Sequence, residues 1–294
     1  MSEVAAILRM KRREGGNRWN LILRGSRLKL GIILVFSLLF WLLLYVVFLR
    51  SFNFLARFPY VANELIESLV YLFFFSLTLM LIFSNAIILF TSLFRERETA
   101  FLITSPVRPE TIFLYKFVES LGFSSWAFLF LAAPLLAAYG TFYGLPFSFY
   151  ALSLVFFLLF IVVPASIGAA ITILFSLIFP RTRRGLVLAL AVILSLLALP
   201  MLLKLFSLRG VTFYDYRMVK EVFDSIGFCR NPVLPSYWIS KGIVVMGKGE
   251  YGTSGFYLLL LLSTGLAGVW GLYTAAELVL MRGWHRAEGA RKSR

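Results

Sequence analysis

The chain has almost none of the residues from which enzymes usually build their chemistry. Its 294 residues include one cysteine, one histidine and only 14 Asp and Glu. The single Cys229 allows neither an internal disulfide nor a thiolate metal cluster. His285 follows Trp284 in a basic tail, where a solvated role is expected, and one histidine cannot build a metal site or a Ser-His-Asp arrangement. No Gly-x4-Gly-Lys-Ser/Thr segment occurs, so the chain has no phosphate-binding loop of its own. Hydrolytic, redox and metal chemistry all lack their residues, and no catalytic, cofactor-binding or metal-ligating residue is assigned.

What is abundant is oil. Apolar residues make up 60% of the chain, with 31 Phe, more apolar surface than one soluble core can bury. They come in runs of roughly 20 or more, the length at which a helix crosses the ~30 Å hydrocarbon core. The runs lack the polar faces that buried helices of a soluble protein would carry. Six spans are predicted, over 30–49, 65–94, 111–139, 148–179, 186–206 and 255–281. The expected fold is an all-α integral membrane protein with one permease-like membrane domain over 30–281 and basic tails at 1–29 and 282–294. The first run is too long for a signal peptide and no small-x-small cleavage site follows it, so it is expected to stay as an anchor.

The excess of Lys and Arg, 29 against 14 acids, is distributed by topology. Residues 1–29 hold eight, Arg181, Arg183 and Arg184 follow the fourth span, and 282–294 hold five. If these segments share a side with residues 93–117, that side carries 20 of the 29. The positive-inside rule then places both termini in the cytoplasm. Basic clusters beside a membrane attract anionic lipid headgroups, which accounts for the charge without a nucleic-acid partner.

Several segments between the runs have local signatures. Asn17 as a cap, then Trp19, Leu21, Ile22 and Leu23 among Arg18, Arg24 and Arg27, suit a short interfacial helix before the first span. The fourth span contains Pro164 followed by Ala165, Ser166, Gly168, Ala169 and Ala170, and the last contains Gly265, Ala267, Gly268 and Gly271. Small residues let helices approach closely, so these are read as packing surfaces, with a bend at Pro164. The outer segment 209–254 carries YDYRMVKEVFDSIG, with an apolar stripe, Arg217–Glu221 and Lys220–Asp224 pairs and a terminating Gly227, the pattern of an extracytoplasmic amphipathic helix. Two prolines in NPVLPSYWISKGI then turn the chain, with Trp238 as an expected interfacial anchor.

Ionisable residues inside spans are costly and usually functional. The candidates are Glu67, Lys116, Glu119 and Glu277, all near span ends. Lys116 and Glu119 are spaced i,i+3, so a structural or gating ion pair is expected. Asn85 is the deepest strongly polar side chain, placed to hydrogen-bond a neighbouring helix.

The most unusual stretch is LFRERETAFLITSPVRPETIFLYKF at 93–117, which sets four alternating charges between two spans. Residues 95–103 favour a helix, Thr104-Ser105-Pro106 breaks it, and Pro109 suits the first position of the next, with Glu110 in its opening turn. Helix, turn, helix is predicted over 95–110. It reads either as a polar turn between spans or as a docking knob for a partner.

RERETAFLITSPVRPETIFLYKF resembles the signature segment of type-2 ABC exporter permeases, in which Arg-Glu-Thr, a Leu/Phe run and Ser-Pro precede a Lys at the start of the third span. The interfacial N-terminal helix, six spans with both ends inside and a long fifth-to-sixth outer segment are similar to that family too, and NPVLPSYWISKGI looks like the outer-loop motif of some bacterial members. The resemblance implies a multi-pass subunit of the bacterial cytoplasmic (inner) membrane. It would pair with a second permease copy or homologous half and bind a separate ABC ATPase subunit that handles ATP. It further implies that 95–110 is the coupling helix, with Arg95, Glu96, Arg97, Glu98 and Thr99 as docking surface and Phe101 and Leu102 as apolar anchors. The alternative is an ATP-independent carrier or channel, which would transport as the purified chain alone.

Overall fold

A computed structural model describes residues 27–57, 62–94, 96–104, 108–178 and 227–292. Seven α-helices and one short 3-10 helix account for nearly all of them, and no strand occurs among the described residues. The helices are α1 (Arg27–Leu55), α2 (Ala62–Phe94), α3 (Arg97–Thr104), α4 (Pro109–Tyr143), α5 (Phe147–Ile178), α6 (Pro235–Gly247) and α7 (Tyr251–Lys292), with the 3-10 turn at Gly227–Arg230 before α6. Five of them, α1, α2, α4, α5 and α7, are long and apolar enough to cross a membrane. They coincide with the first four and the last of the predicted runs, and they define a multi-pass membrane protein. The predicted span at 186–206, the interfacial helix before residue 27 and the amphipathic helix ahead of Gly227 lie outside the described residues.

Local chemistry fixes the boundaries near the site. Arg108 adopts an extended conformation with Pro109 at the first helical position, and Ile112 N–H returns to Arg108 O at 3.2 Å. Proline fits there because its missing N–H would have had no helical partner. At the other end of α4, Gly144 takes φ 64°, and Leu145 N–H closes on Gly140 O at 2.9 Å. Only glycine enters this left-handed region without steric cost, and it lets α4 reverse into α5. The helix α5 runs unbroken through Pro164.

The small-residue runs are packing surfaces at Gly168 and Gly268, whereas Gly271 has nothing within 4 Å of its Cβ position. A Cβ on Gly168 would lie 2.6 Å from Ile82 O, so the backbones of α5 and α2 touch there. Thr172 Oγ1 donates to Ala86 O at 3.0 Å across the same seam. On α7, a Cβ at Gly268 would lie 2.9 Å from Ser166 of α5.

The second half of the outer segment differs from a surface loop. Asn231 Oδ1 accepts from Val233 N–H at 3.0 Å, turning the chain, and Pro235 begins α6. Ile239, Gly242, Ile243 and Val244 of α6 are buried against α2, α5 and α7. Ser254 Oγ donates to Gly242 O at 3.0 Å, so α6 and α7 form a hairpin about Gly249, whose φ is 84°. Trp238 sits partly buried against this core and donates its indole N–H to Pro232 O at 2.6 Å. Burial of an apolar helix face, invisible as periodicity in a 13-residue stretch, drew the segment inward.

An extended core of Phe74, Phe128, Phe156 and Phe160 fills the half of the bundle beside α6. A smaller cluster of Leu89, Leu93, Phe113, Phe117, Ala169 and Leu272 fills the half nearest α3. That second cluster supports the site.

Candidate functional site

The site forms where α2 ends. A helix leaves its last carbonyls without intrahelical partners. Thr99 Oγ1 donates to Ser92 O at 2.6 Å, which satisfies one of them and holds α3 across the end of α2. Ser92 Oγ in turn donates to Glu96 Oε2 at 3.2 Å. On the apolar side of α3, Leu102 packs with Ile112 and Tyr115 of α4. Phe101 points the other way and is 71% exposed.

Lys116 projects from α4 into this corner, and its side chain is fully buried. Its ammonium lies 2.6 Å from Glu96 Oε2, 3.0 Å from Glu98 Oε2 and 3.0 Å from Glu119 Oε2. An ammonium has three donors, and here each has a carboxylate. Tyr115 adds a hydroxyl donated to Glu98 Oε1 at 3.2 Å, and its ring lies 5.4 Å from the Lys116 nitrogen. The three carboxylates converge closely enough to hold a metal ion, but the Lys116 ammonium already bonds all three. The arrangement is suited to holding helices together.

The sequence-predicted residues therefore divide. Glu96, Glu98 and Thr99 share one bonded corner with Lys116 and Glu119, while Leu102 packs inward and Phe101 faces out. Arg95 lies outside the described residues, and Arg97 is the first residue of α3. Lys116 and Glu119 were expected to satisfy each other, and the ion pair is present. The reach of Lys116 to Glu96 and Glu98, 20 and 18 residues earlier, has no signal in the spacing.

One and two turns further along α4 lie Ser120 and Ser124. Asn85 of α2 donates toward their hydroxyls at 3.3 and 3.5 Å, as expected for a polar group seeking a neighbouring helix. The serines pass their own hydrogens to Phe117 O and Leu121 O. A line of buried polar groups thus continues from Lys116 into the bundle.

At the opposite end, Lys248 joins Glu67 at 2.6 Å, and Arg230 donates to Ser68 Oγ at 2.6 Å and lies 5.8 Å from the Tyr71 ring. These contacts fix the α6 hairpin to α2.

An all-helical, multi-pass membrane protein whose short charged helix is bonded by a buried lysine to a spanning helix is the class these features define. A family model described as "Putative ATP-binding cassette" matches residues 22–294, and the chain belongs to that family, which relates it to ABC transporters. No curated protein and no solved structure matches it.

Proposed function

We propose that the chain is the membrane-spanning permease subunit of an ATP-driven exporter of the type-2 class, with its ATPase on a separate subunit. The observation that carries this reading is the bonding of α3 to α4 through Lys116, Glu96, Glu98 and Glu119. A short helix that merely ended two spans would need no buried ion cluster; a helix that must transmit force does. The family membership and the absence of a phosphate loop fit a chain that relies on a partner for ATP.

The α3 end faces the cytoplasm in this reading, and the exposed Phe101, with the charged segment 95–98, meets the ATPase. ATP binding draws two ATPase subunits together and displaces α3. Because α3 is bonded to the wall of α4, the displacement becomes movement of a spanning helix. The path that opens and closes lies between this chain and a second permease copy or homologous half, in the inner membrane.

Co-expression with an ATPase subunit and affinity purification test the docking site. Reversal of the charges at 95 and 97, with Phe101→Asp, leaves Glu96 and Glu98 in place and abolishes co-purification while the chain still inserts and folds. Undiminished capture of the ATPase by that variant removes α3 as the docking element. Substrate transport by the purified chain alone, without any ATPase, would favour a carrier instead.

A further inference from the structure

Where α6 turns into α7, glycine stands at positions 247, 249, 252 and 255. The first two have structural duties. A Cβ on Gly247 would lie 3.1 Å from the Tyr139 ring, so the end of α6 is seated on α4 there. Gly249 takes φ 84°, which reverses the chain. Gly252 and Gly255, in the first two turns of α7, have neither duty. Nothing lies within 4 Å of either Cβ position, and neither takes a positive φ. A glycine weakens a helix relative to alanine by about fivefold in its closing equilibrium, so what these positions confer is ease of unwinding.

Residues 248–253 are all exposed, whereas Ser254 is buried and donates to Gly242 O. Among the described residues, the polar side-chain contact that joins this stretch to another spanning helix is Lys248 Nζ with Glu67 Oε1 of α2, at 2.6 Å. The lysine is 52% exposed and the Glu67 side chain only 17%. Loss of the cation therefore leaves a mostly buried carboxylate unpaired, and that cost is relieved when the stretch lifts and water reaches it. Arg230 and Tyr143 hold the same end of α2 from the 3-10 turn and from α4, at Ser68 and Asn63. Parting of Lys248 from Glu67 thus frees the stretch and leaves the helix in place.

We propose that residues 248–253 are a latched strap at the Glu67 end of α2: the Lys248–Glu67 pair holds it shut, and when the pair parts the first turn of α7 unwinds at Gly252 and the strap lifts. The closed form is marked by the amides of Gly249 and Glu250, bonded to Met246 O and Val245 O, and by the amide of Ser254, bonded to Glu250 O. Placement of the strap on the extracytoplasmic side, where it closes the end from which an exporter releases its substrate, rests on the proposed function; the latch does not.

Amide hydrogen exchange of the purified full chain, read at single residues, tests the latch. Lys248→Met is expected to speed exchange at Gly249, Glu250 and Ser254 about fivefold, and Glu67→Gln to do the same. The double variant goes no further than either single one, because one pair is lost only once. Gly252→Ala slows exchange at Ser254 about fivefold and, added to Lys248→Met, brings it back near the parent rate. The amides of α6 at 239–246 keep the parent rate in every variant. Parent-like exchange in Lys248→Met, additive effects of Glu67→Gln and Lys248→Met, or parent-like exchange in Gly252→Ala each overturns the proposal. Acceleration that spreads through 239–246 overturns it as well, since the whole hairpin would then be loosening. The assay contains no ATPase, so its failure leaves the docking reading untouched, and failure of the docking reading leaves the latch standing.

Discussion

Lys116 and Glu96, on α4 and just ahead of α3, meet at 2.6 Å although 20 residues separate them. The lysine is fully buried while the Glu96 side chain is 44% exposed, so the contact joins the interior of the bundle to its surface. Glu98 and Glu119 complete the cluster from α3 and α4.

Replacing Lys116 by Met removes the cation and leaves three carboxylates facing one another. Because Glu96 and Glu98 can rehydrate, the loss is below that of a fully buried pair, about 1–3 kcal/mol. Thermal unfolding in detergent checks this. If α3 is the coupling element, Lys116→Met also lowers substrate-stimulated ATPase turnover more than it lowers ATPase capture. Equal loss of both would mean that the cluster only holds the docking surface together.

Thr99→Val keeps the shape of the side chain but deletes the donor to Ser92 O. The unpaired carbonyl at the end of α2 costs about 1 kcal/mol, and Thr99→Ser restores it. Amide exchange across residues 96–104 should speed up in the valine variant and return to the parent rate in the serine variant.

Gly168→Leu places side-chain atoms against Ile82 O, where a Cβ already falls at 2.6 Å. Backbone cannot yield as a flexible side chain does, and overpacking of this kind costs about 1–3 kcal/mol. Gly271→Leu, with open space at its Cβ, should fall within about 0.5 kcal/mol of the parent. Melting temperatures of the pair separate tight packing from open space; similar losses in both would show that α5 and α7 close further than described.

Cys229, in the 3-10 turn outside the spans, is fully buried, and burial pushes its thiol up to about 12. The folded state favours the protonated thiol. Its contribution to stability is whole below the unfolded value near 8.5 and declines as pH rises from there towards 12. Maleimide labelling at pH 8 should be slow in the native chain and fast after unfolding. Native labelling at the rate of a free thiol would show that the turn opens readily.

The sequence alone determined the class of the protein. Runs of some 20 apolar residues can satisfy their backbone in a bilayer only as helices, so five described spans sit where the hydropathy placed them. Pro109 and the small residues around Gly168 and Gly268 were legible for the same local reason, since missing donors and missing side chains act where they stand. The inward turn of α6 was not legible. Thirteen residues carry too little periodicity to separate a loop from a buried helix, and only the surrounding walls of α2, α5 and α7 decided it. Nor did spacing reveal that Lys116 binds Glu96 and Glu98 as well as Glu119. The charges at 95–98 marked a short helix that reads as a polar turn between spans or as a docking knob, and their spacing said nothing of which partners they meet. The convergence of Glu96 and Glu98 on one buried ammonium depends on α3 folding back over the end of α2, a tertiary event that ties an apparent surface knot to the interior.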